Sequence, residues 1–369
     1  VEQHTSAALE GLVITRYGHA VECQQIKIVE AGHPVPDQQG MRAAASMLEI
    51  SSGLTEKDSV LCLISGGGSS LLSLPAPGLS LEDKQGVTSK LLKCGATIHE
   101  INCIRKHLSA IKGGRLAVAC SPAPLLTLAI SDVPGDDLSV IASGPTVADP
   151  STFEDALKIL TKYDISEPKS VLKHLENAAD ETPKPGDSRL QNVENHLIAT
   201  PKQSLRAAAQ AVSDAGMTPL MLGDNVEGES RDAGKMHSAT ALQIQKNGSP
   251  VSPPAVILSG GETSVTVKGS GRGGPNTEFM LALLQELRGQ DGIWAIACDT
   301  DGIDGTEDNA GAFISPESFK KSEELGLDPS SFLSNNDSYS FFHELGDLVS
   351  PGPTMTNVND FRAVLVLPT

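Results

Sequence analysis

Hydrophobic positions along the chain switch between two spacings, and the switches outline alternating strands and helices. Short apolar runs predict strands at Gly11–Thr15, Lys27–Glu30, Ser59–Ile64 and Leu125–Ile130. The last two are continuously apolar, as strands covered on both faces of a parallel sheet are. Between and after them the pattern predicts helices at Gly40–Ile50, Leu81–Lys93, His99–Ala119, Phe153–Tyr163 and Ser170–Ala179. The segment Asp180–Ser188 is polar and carries Pro183 and Pro185, which puts a domain boundary near residue 185. A second alternation follows, with strands at His196–Ala199, Thr218–Leu222, Val256–Leu258, Ser264–Val267, Ile293–Ala297 and Ala363–Leu367. Its helices are Lys202–Ala215, Glu229–Lys246 and Thr277–Arg288. The fold class expected is α/β: two α/β domains, 1–185 and 186–369, with largely parallel sheets, the first of them Rossmann-like. Neither an internal repeat nor a low-complexity tract interrupts the pattern.

Composition narrows the chemistry. The 369 residues suffice for two cores, and with aromatics at 3% aliphatic side chains and alanine must fill them. Lys and Arg total 28 against 46 Asp and Glu, a formal charge of −18. Such a balance argues against non-specific nucleic-acid binding. It also requires that an anionic substrate be met by locally concentrated positive charge or by a metal. The cysteines are scattered without metal-ligand spacing, and several sit in apolar runs as reduced core thiols do. No signal peptide is visible, and no apolar run approaches the roughly 18 residues of a membrane span. A soluble, cytoplasmic protein without membrane or nucleic-acid partners is the expectation.

Several motifs could carry chemistry. Ser65-Gly-Gly-Gly-Ser-Ser70 follows a strand, where its backbone could approach an anion or simply turn. There is no Walker A pattern. Gly269-Ser-Gly-Arg-Gly-Gly274 satisfies G-x-G-x-x-G and admits a dinucleotide site, a phosphate or substrate site, or a plain turn. Against the first, Asp291 lies in a polar loop rather than at a strand end. Ile104–Arg115 packs five basic or titratable side chains into an acidic protein; Arg105 and Lys112 are the pair most nearly aligned at helical spacing. They could line a binding site or a solvated face. Ser131–Asp137 follows a strand, so Asp132 is placed for a metal, a hydroxyl, or a turn cap. Asp299–Gly305 offers three carboxylates but lacks the terminal glutamate of a calcium loop. Thr356–Asp360 supplies amides and a carboxylate, and His33 reads as a loop-ordering residue.

Taken in order, these motifs resemble the class II glycerate kinases, whose C-terminal part is the MOFRL domain. The resemblance rests on Glu30–Asp37, Ser65–Ser69, Ile104–Gly114, Ser131–Asp136, Ser143–Thr146, the MOFRL stretch beginning at Ala255, and Thr356–Asp360. Older names for such proteins include hydroxypyruvate reductase. The resemblance implies ATP-dependent phosphorylation of D-glycerate with Mg2+, in an active site in the cleft between the domains. Arg272, Asp132, Asp301 and Lys106 are then catalytic, with Asp132 and Asp301 toward the metal. Ser65, Gly66, Gly67, Gly68, Ser69 and Lys112 hold the nucleotide; Glu262, Asn276, Asn357, Asn359 and Asp360 hold glycerate. The family also carries a strand and a Gly-Lys-Ala turn ahead of the segment Val1–Leu9, which reads as the end of a helix. A chain without that turn is expected to be poorly active. Pro275 stands where many relatives carry arginine, and Arg272 could supply that charge. An NAD(P)-dependent hydroxypyruvate reductase and a non-catalytic anion-binding protein stay open as alternatives, as does a homodimer.

Overall fold

The computed structural model describes residues 1–133 and 135–369. Pro134, within the motif 131–136, lies outside the described residues. The chain divides into two compact units, Val1–Ile198 and Ala199–Thr369. Both mix helices and strands, as an α/β reading requires.

In the first unit, Gly11–Arg16 and Ile26–Ala31 pair in parallel. Ahead of them, where the end of a helix is expected, a single 3₁₀ turn stands at Glu2–His4. The Glu2 carboxylate accepts from the amides of Gln24, Gln25 and Ile26 at 2.7–2.9 Å. A three-stranded sheet orders Val60–Ile64, Leu125–Ile130 and Val193–Ala199 side by side, the first two parallel. Capping boxes start the helices Leu81–Lys93, Ile98–His107 and Phe153–Lys162, where Ser80, Thr97 and Thr152 face Asp83, Glu100 and Asp155. Val87, Leu91, Ile104, Phe153, Leu160 and Val171 form the core among these helices. The strand Val60–Ile64 is not covered on both faces as its apolar run suggests: Leu61 and Leu63 are 43% and 58% exposed.

Two expectations change for identifiable reasons. The helix read over 99–119 is two helices, Ile98–His107 and Arg115–Cys120: after the first the chain bonds to residues 74–76, and Gly113 and Gly114, at φ values of 58° and 82°, turn it into the second. A Cβ at Gly114 would meet Pro183 at 2.8 Å. The polar segment 180–188 is docked onto the first unit. Asp180 pairs with Arg115, and Glu181 lies 2.9 Å from His107 Nε2. Thr182 donates to Asp149 at 3.1 Å, and the Asp149 amide donates to the Pro183 carbonyl at 2.9 Å. The strand 193–199 then completes the sheet, so the division falls after Ile198.

The second unit holds a six-stranded sheet. Its order is Leu348–Val349, Gly311–Ile314, Ile293–Asp299, Asp360–Val366, Ala255–Gly261 and Thr218–Gly223. Thr218–Gly223 runs parallel to Ala255–Gly261, and the other four pairings are antiparallel. The alternation of strands and helices reads as parallel because it does not tell which strands become neighbours. The expected strand 264–267 is reduced to Thr263–Ser264. The helix Pro275–Leu287 is buried from Asn276 through Leu284, polar first turn included. Helix Ser230–Asn247 packs on it closely enough that a Cβ at Gly234 would meet the Phe279 carbonyl at 2.5 Å.

Lys106 and Asp149 form a buried ion pair at 3.3 Å. Lys106→Met should lower the unfolding free energy by about 3 kcal/mol, because Asp149 would stay buried without its cation. Denaturant titration measures this, and a loss below about 1 kcal/mol would show that the hydroxyls around Asp149 suffice.

Candidate functional site

In the first unit, motifs far apart in sequence meet at the glycine turn. Strand Val60–Ile64 delivers Ser65–Gly67, and Gly67, at φ 78°, starts the short helix Gly68–Leu71. The amides of Gly68 and Ser69 open that helix and so have no intrahelical acceptor. The parallel strand Leu125–Ile130 brings Asp132 alongside. Burial pushes the Asp132 carboxyl up, while its own amide and that of Gly67 pull it back. One of the turn's N–H groups is therefore given to Asp132. His33 packs on the turn, where a Cβ on Gly67 would meet its ring at 2.9 Å.

The turn 141–146 closes another side. Ala142 and Ser143 take φ values of 52° and 60°, a conformation that costs non-glycine residues about 1 kcal/mol or more each. They are held there by bonds from Gly113 N to Ser143 O at 3.1 Å and Gly114 N to Gly144 O at 2.8 Å. Gly68 must be glycine here, since a Cβ would lie 2.6 Å from that of Ala142. Ser143 Oγ lies 3.3 Å from Ser69 Oγ and donates to Asn102 at 2.9 Å.

Lys112 Nζ donates to the Ser69 carbonyl at 2.6 Å, and the residue is 1% exposed. Burial, and then the charges of Lys84 and Arg105, hold its ammonium far below the usual lysine range. Lys84 is 7% exposed and its Nζ reaches the Leu74 carbonyl at 3.4 Å. Burial first and Arg105 second push it down to about 7. Arg105 is half-buried. Among the described residues no carboxylate pairs with any of the three. Lys84 escapes sequence reading because it belongs to no motif; only its place in the first turn of an amphipathic helix marked it. Lys106 does not join this group, being committed to Asp149.

In the second unit, carboxylates and amides cluster between strands Ile293–Asp299 and Asp360–Val366, where Asp299 faces Asp360 in register. Asp304 is buried and accepts from the amides of Asn276 and Thr277 and from Thr277 Oγ1, each at 2.8 Å, so it caps the helix Pro275–Leu287. Burial still pushes it up to about 6. Asn276 Nδ2 donates to Asp360 Oδ1 at 2.6 Å. Asp301 shares a hydrogen bond with Asp299, whose carboxyl is raised by burial and by its acidic neighbours. Asn357 Oδ1 accepts from the Asn359 amide at 2.9 Å, and the Asn359 carbonyl accepts from Thr300 Oγ1 at 2.7 Å. Glu262 follows Gly261, the register partner of Asp360, and is exposed. Arg362, which no motif flagged, is fully buried, pairs with Asp360, and leaves Nε and Nη1 without partners.

The turn 269–274 is different. The amides of Gly269, Ser270 and Arg272 donate to the side chains of Asn336, Asn335 and Asp337 at 3.0–3.1 Å. Those of Gly271 and Gly274 donate to Asn335 O and Thr277 Oγ1 at 2.9 and 3.0 Å. A pyrophosphate cradle needs such amides free, so the dinucleotide and phosphate readings of this backbone both fail. The Arg272 side chain is 57% exposed, 3.4 Å from Glu307 and stacked 4.4 Å over Tyr339.

Residues 1–176 match a domain of unknown function, DUF4147, and residues 255–360 match the MOFRL family. A putative hydroxypyruvate reductase of Agrobacterium vitis is 53% identical over 97% of this chain and 81% of its own length. A glycerate 2-kinase of Pyrococcus horikoshii is 43% identical over 97% of this chain and 82% of its own. The crystal structure of a glycerate kinase from Thermotoga maritima superposes with a TM-score of 0.88 at 43% identity, over 97% of this chain and 85% of that one.

The low proton affinity of Lys84 has a readable consequence. Unfolded, it keeps its proton up to about pH 10.4; folded, only to about 7. Its charge therefore destabilises the fold fully below pH 7, and less as pH rises toward the unfolded value. Lys84→Met should raise Tm, and by more at about pH 6 than at about pH 9.5. An equal change at both would show that the ammonium is solvated. Gly67→Ala should cost about 1–2 kcal/mol for the left-handed backbone alone, before its contact with His33. Thermal unfolding measures both.

Proposed function

The chain belongs to the class II glycerate kinase family, with the MOFRL region in its second unit, and from that premise we propose that it transfers the γ-phosphoryl group of ATP to D-glycerate. A nucleotide is the co-substrate of such a kinase. The observation that supports phosphoryl transfer most directly is the meeting of the glycine turn, Lys112 and Asp132 in the first unit. Open amides and a buried ammonium receive phosphate oxygens, and in such reactions the protein chiefly positions groups and offsets charge.

In this reading Ser65–Ser69 and Lys112 hold the nucleotide phosphates. Mg2+ fits the donor set in a limited way. Among the described residues no three His, Cys, Asp or Glu side chains are gathered to hold a metal. Mg2+ in phosphate sites needs only one or two carboxylates, the rest coming from phosphates and water, and Asp132 offers one. When bound, the ion offsets charge on the phosphate oxygens. Asp301, whose amide donates to Asp299 at 2.9 Å, would orient the acceptor hydroxyl, with Asn276, Asn357, Asn359, Asp360 and Glu262 recognising glycerate. Arg272 would bring the cation this unit otherwise exposes nowhere on that turn.

Protein expressed from its full reading frame should form ADP in a manner dependent on glycerate and Mg2+, and should not reduce NAD or NADP with glycerate. Saturable binding of reduced nicotinamide cofactor with turnover of hydroxypyruvate, and no consumption of ATP, would overturn the kinase reading. Arg272→Ala should lower kcat/KM by about 3 kcal/mol, the scale of one charge-stabilising donor. Its exposed ion pair should leave stability within about 1 kcal/mol of the parent. Unchanged kinetics would reduce Arg272 to a surface partner of Glu307.

A further inference from the structure

We propose that Tyr339 is a positioning residue for phosphoryl transfer: it holds the Arg272 guanidinium flat beside the acidic loop that follows strand Ile293–Asp299, with the guanidinium edge open to an anion. This role rests on the one given to Arg272 in the kinase reading and names what keeps that side chain in place.

Arg272 is fixed at both ends by one short segment. At the backbone, its amide donates to Asp337 Oδ1 at 3.0 Å, and its carbonyl accepts from the Tyr339 amide at 3.0 Å. At the far end, the guanidinium lies 4.4 Å over the Tyr339 ring, and Nη1 is 3.4 Å from Glu307. The ring itself has little freedom. It is 8% exposed, and its hydroxyl donates to Asp308 at 2.9 Å. The His343 ring, one turn further along the helix Ser338–Leu345, lies 5.9 Å away at an interplanar angle of 22°. Glycines let the acidic loop close on the same turn. A Cβ at Gly274 would clash with the Asp304 carboxylate, and one at Gly305 would lie 3.1 Å from the Gly273 carbonyl. Turn, ring and loop are thus one support within the second unit.

Stability does not account for this arrangement. An exposed ion pair and an exposed cation–π contact each contribute little to a fold, and the Arg272 side chain is 57% exposed. What the contacts supply is direction. A guanidinium lying on an aromatic face keeps its N–H donors in its own plane, pointing outward from its edge. Glu307 meets one end of that edge, and the exposure leaves the rest open to an oxyanion. A long side chain ordered before the substrate arrives does not have to be ordered on binding. A lysine ammonium has neither a plane to stack nor a fixed edge, so it would not be held in this way.

A double-mutant cycle tests this, on protein expressed from its full reading frame, with kcat/KM for glycerate and MgATP measured beside Tm. Tyr339→Leu should lower kcat/KM at least about tenfold in the parent background, the scale of a misplaced catalytic group. It should lower it by less than about twofold where Arg272 is already alanine, because the two residues act as one unit. Tyr339→Phe keeps the ring and should recover most of the loss. Arg272→Lys alters an exposed side chain, keeps its charge, and should still lose at least about tenfold. That variant decides the question even if Tyr339→Leu fails to fold. An equal loss from Tyr339→Leu with and without Arg272 would mark a merely structural residue. That result, parent kinetics in Tyr339→Leu beside a damaged Arg272→Ala, or parent kinetics in Arg272→Lys overturns the positioning role and leaves the kinase reading standing. Parent protein that forms no ADP, or parent kinetics in Arg272→Ala, overturns the part given to Arg272 and the positioning role with it.

Discussion

A buried ammonium with no counter-ion is among the most expensive groups a fold can hold. The first unit buries two lysines, Lys84 and Lys112, that pair with no carboxylate among the described residues, and burial holds both below the usual lysine range. Lys112 lies in the link between the helices Ile98–His107 and Arg115–Cys120, directly before Gly113 and Gly114. Its target is the carbonyl of Ser69, which is available because the glycine turn rolls directly into a helix too short to consume it. The strained turn at Ala142 and Ser143 exists to close the other wall, and the amides of Gly113 and Gly114 hold it there. One pair of glycines thus opens a helix and props a turn.

Much of this was legible in the sequence, and unevenly so. The strand–glycine–helix order at 60–71 and the aspartate after Leu125–Ile130 follow from local hydropathy, and parallel pairing brings the two together without further information. Arg105 and Lys112 do not share a helix, so the helical spacing that aligns them in the sequence does not apply. Lys84 was invisible because long-range electrostatics leaves no local signature. Lys106, conspicuous among its basic neighbours, is bound to Asp149, forty-three residues on. A charge run says that cations are near; only packing says which of them are matched.

The second unit teaches the converse. Gly269–Gly274 has the spacing of a phosphate loop and follows a strand, but Asn335, Asn336 and Asp337 reach it and take its amides. Those residues lie more than sixty positions away and carry no motif of their own. A glycine pattern reports that a backbone can approach something closely; here that something is the protein itself. Asp304 and Asp301 sit in the same acidic loop with unlike tasks. The first caps a buried helix, while the second gives its amide to Asp299. Sequence reading favoured Asp301 and passed over Asp304 and Arg362, which organise the cluster from beneath.

The strand Asp360–Val366 lies between Ile293–Asp299 and Ala255–Gly261, both of which the ribosome makes long before it. Until it is threaded in, each neighbour presents an unpaired edge, and the two halves of the sheet share no hydrogen bonds. Assembly of this unit is therefore late and concerted. A nascent chain interrupted between residues 300 and 360 would display two open strand edges, which is the form in which polypeptides pair with the wrong partner.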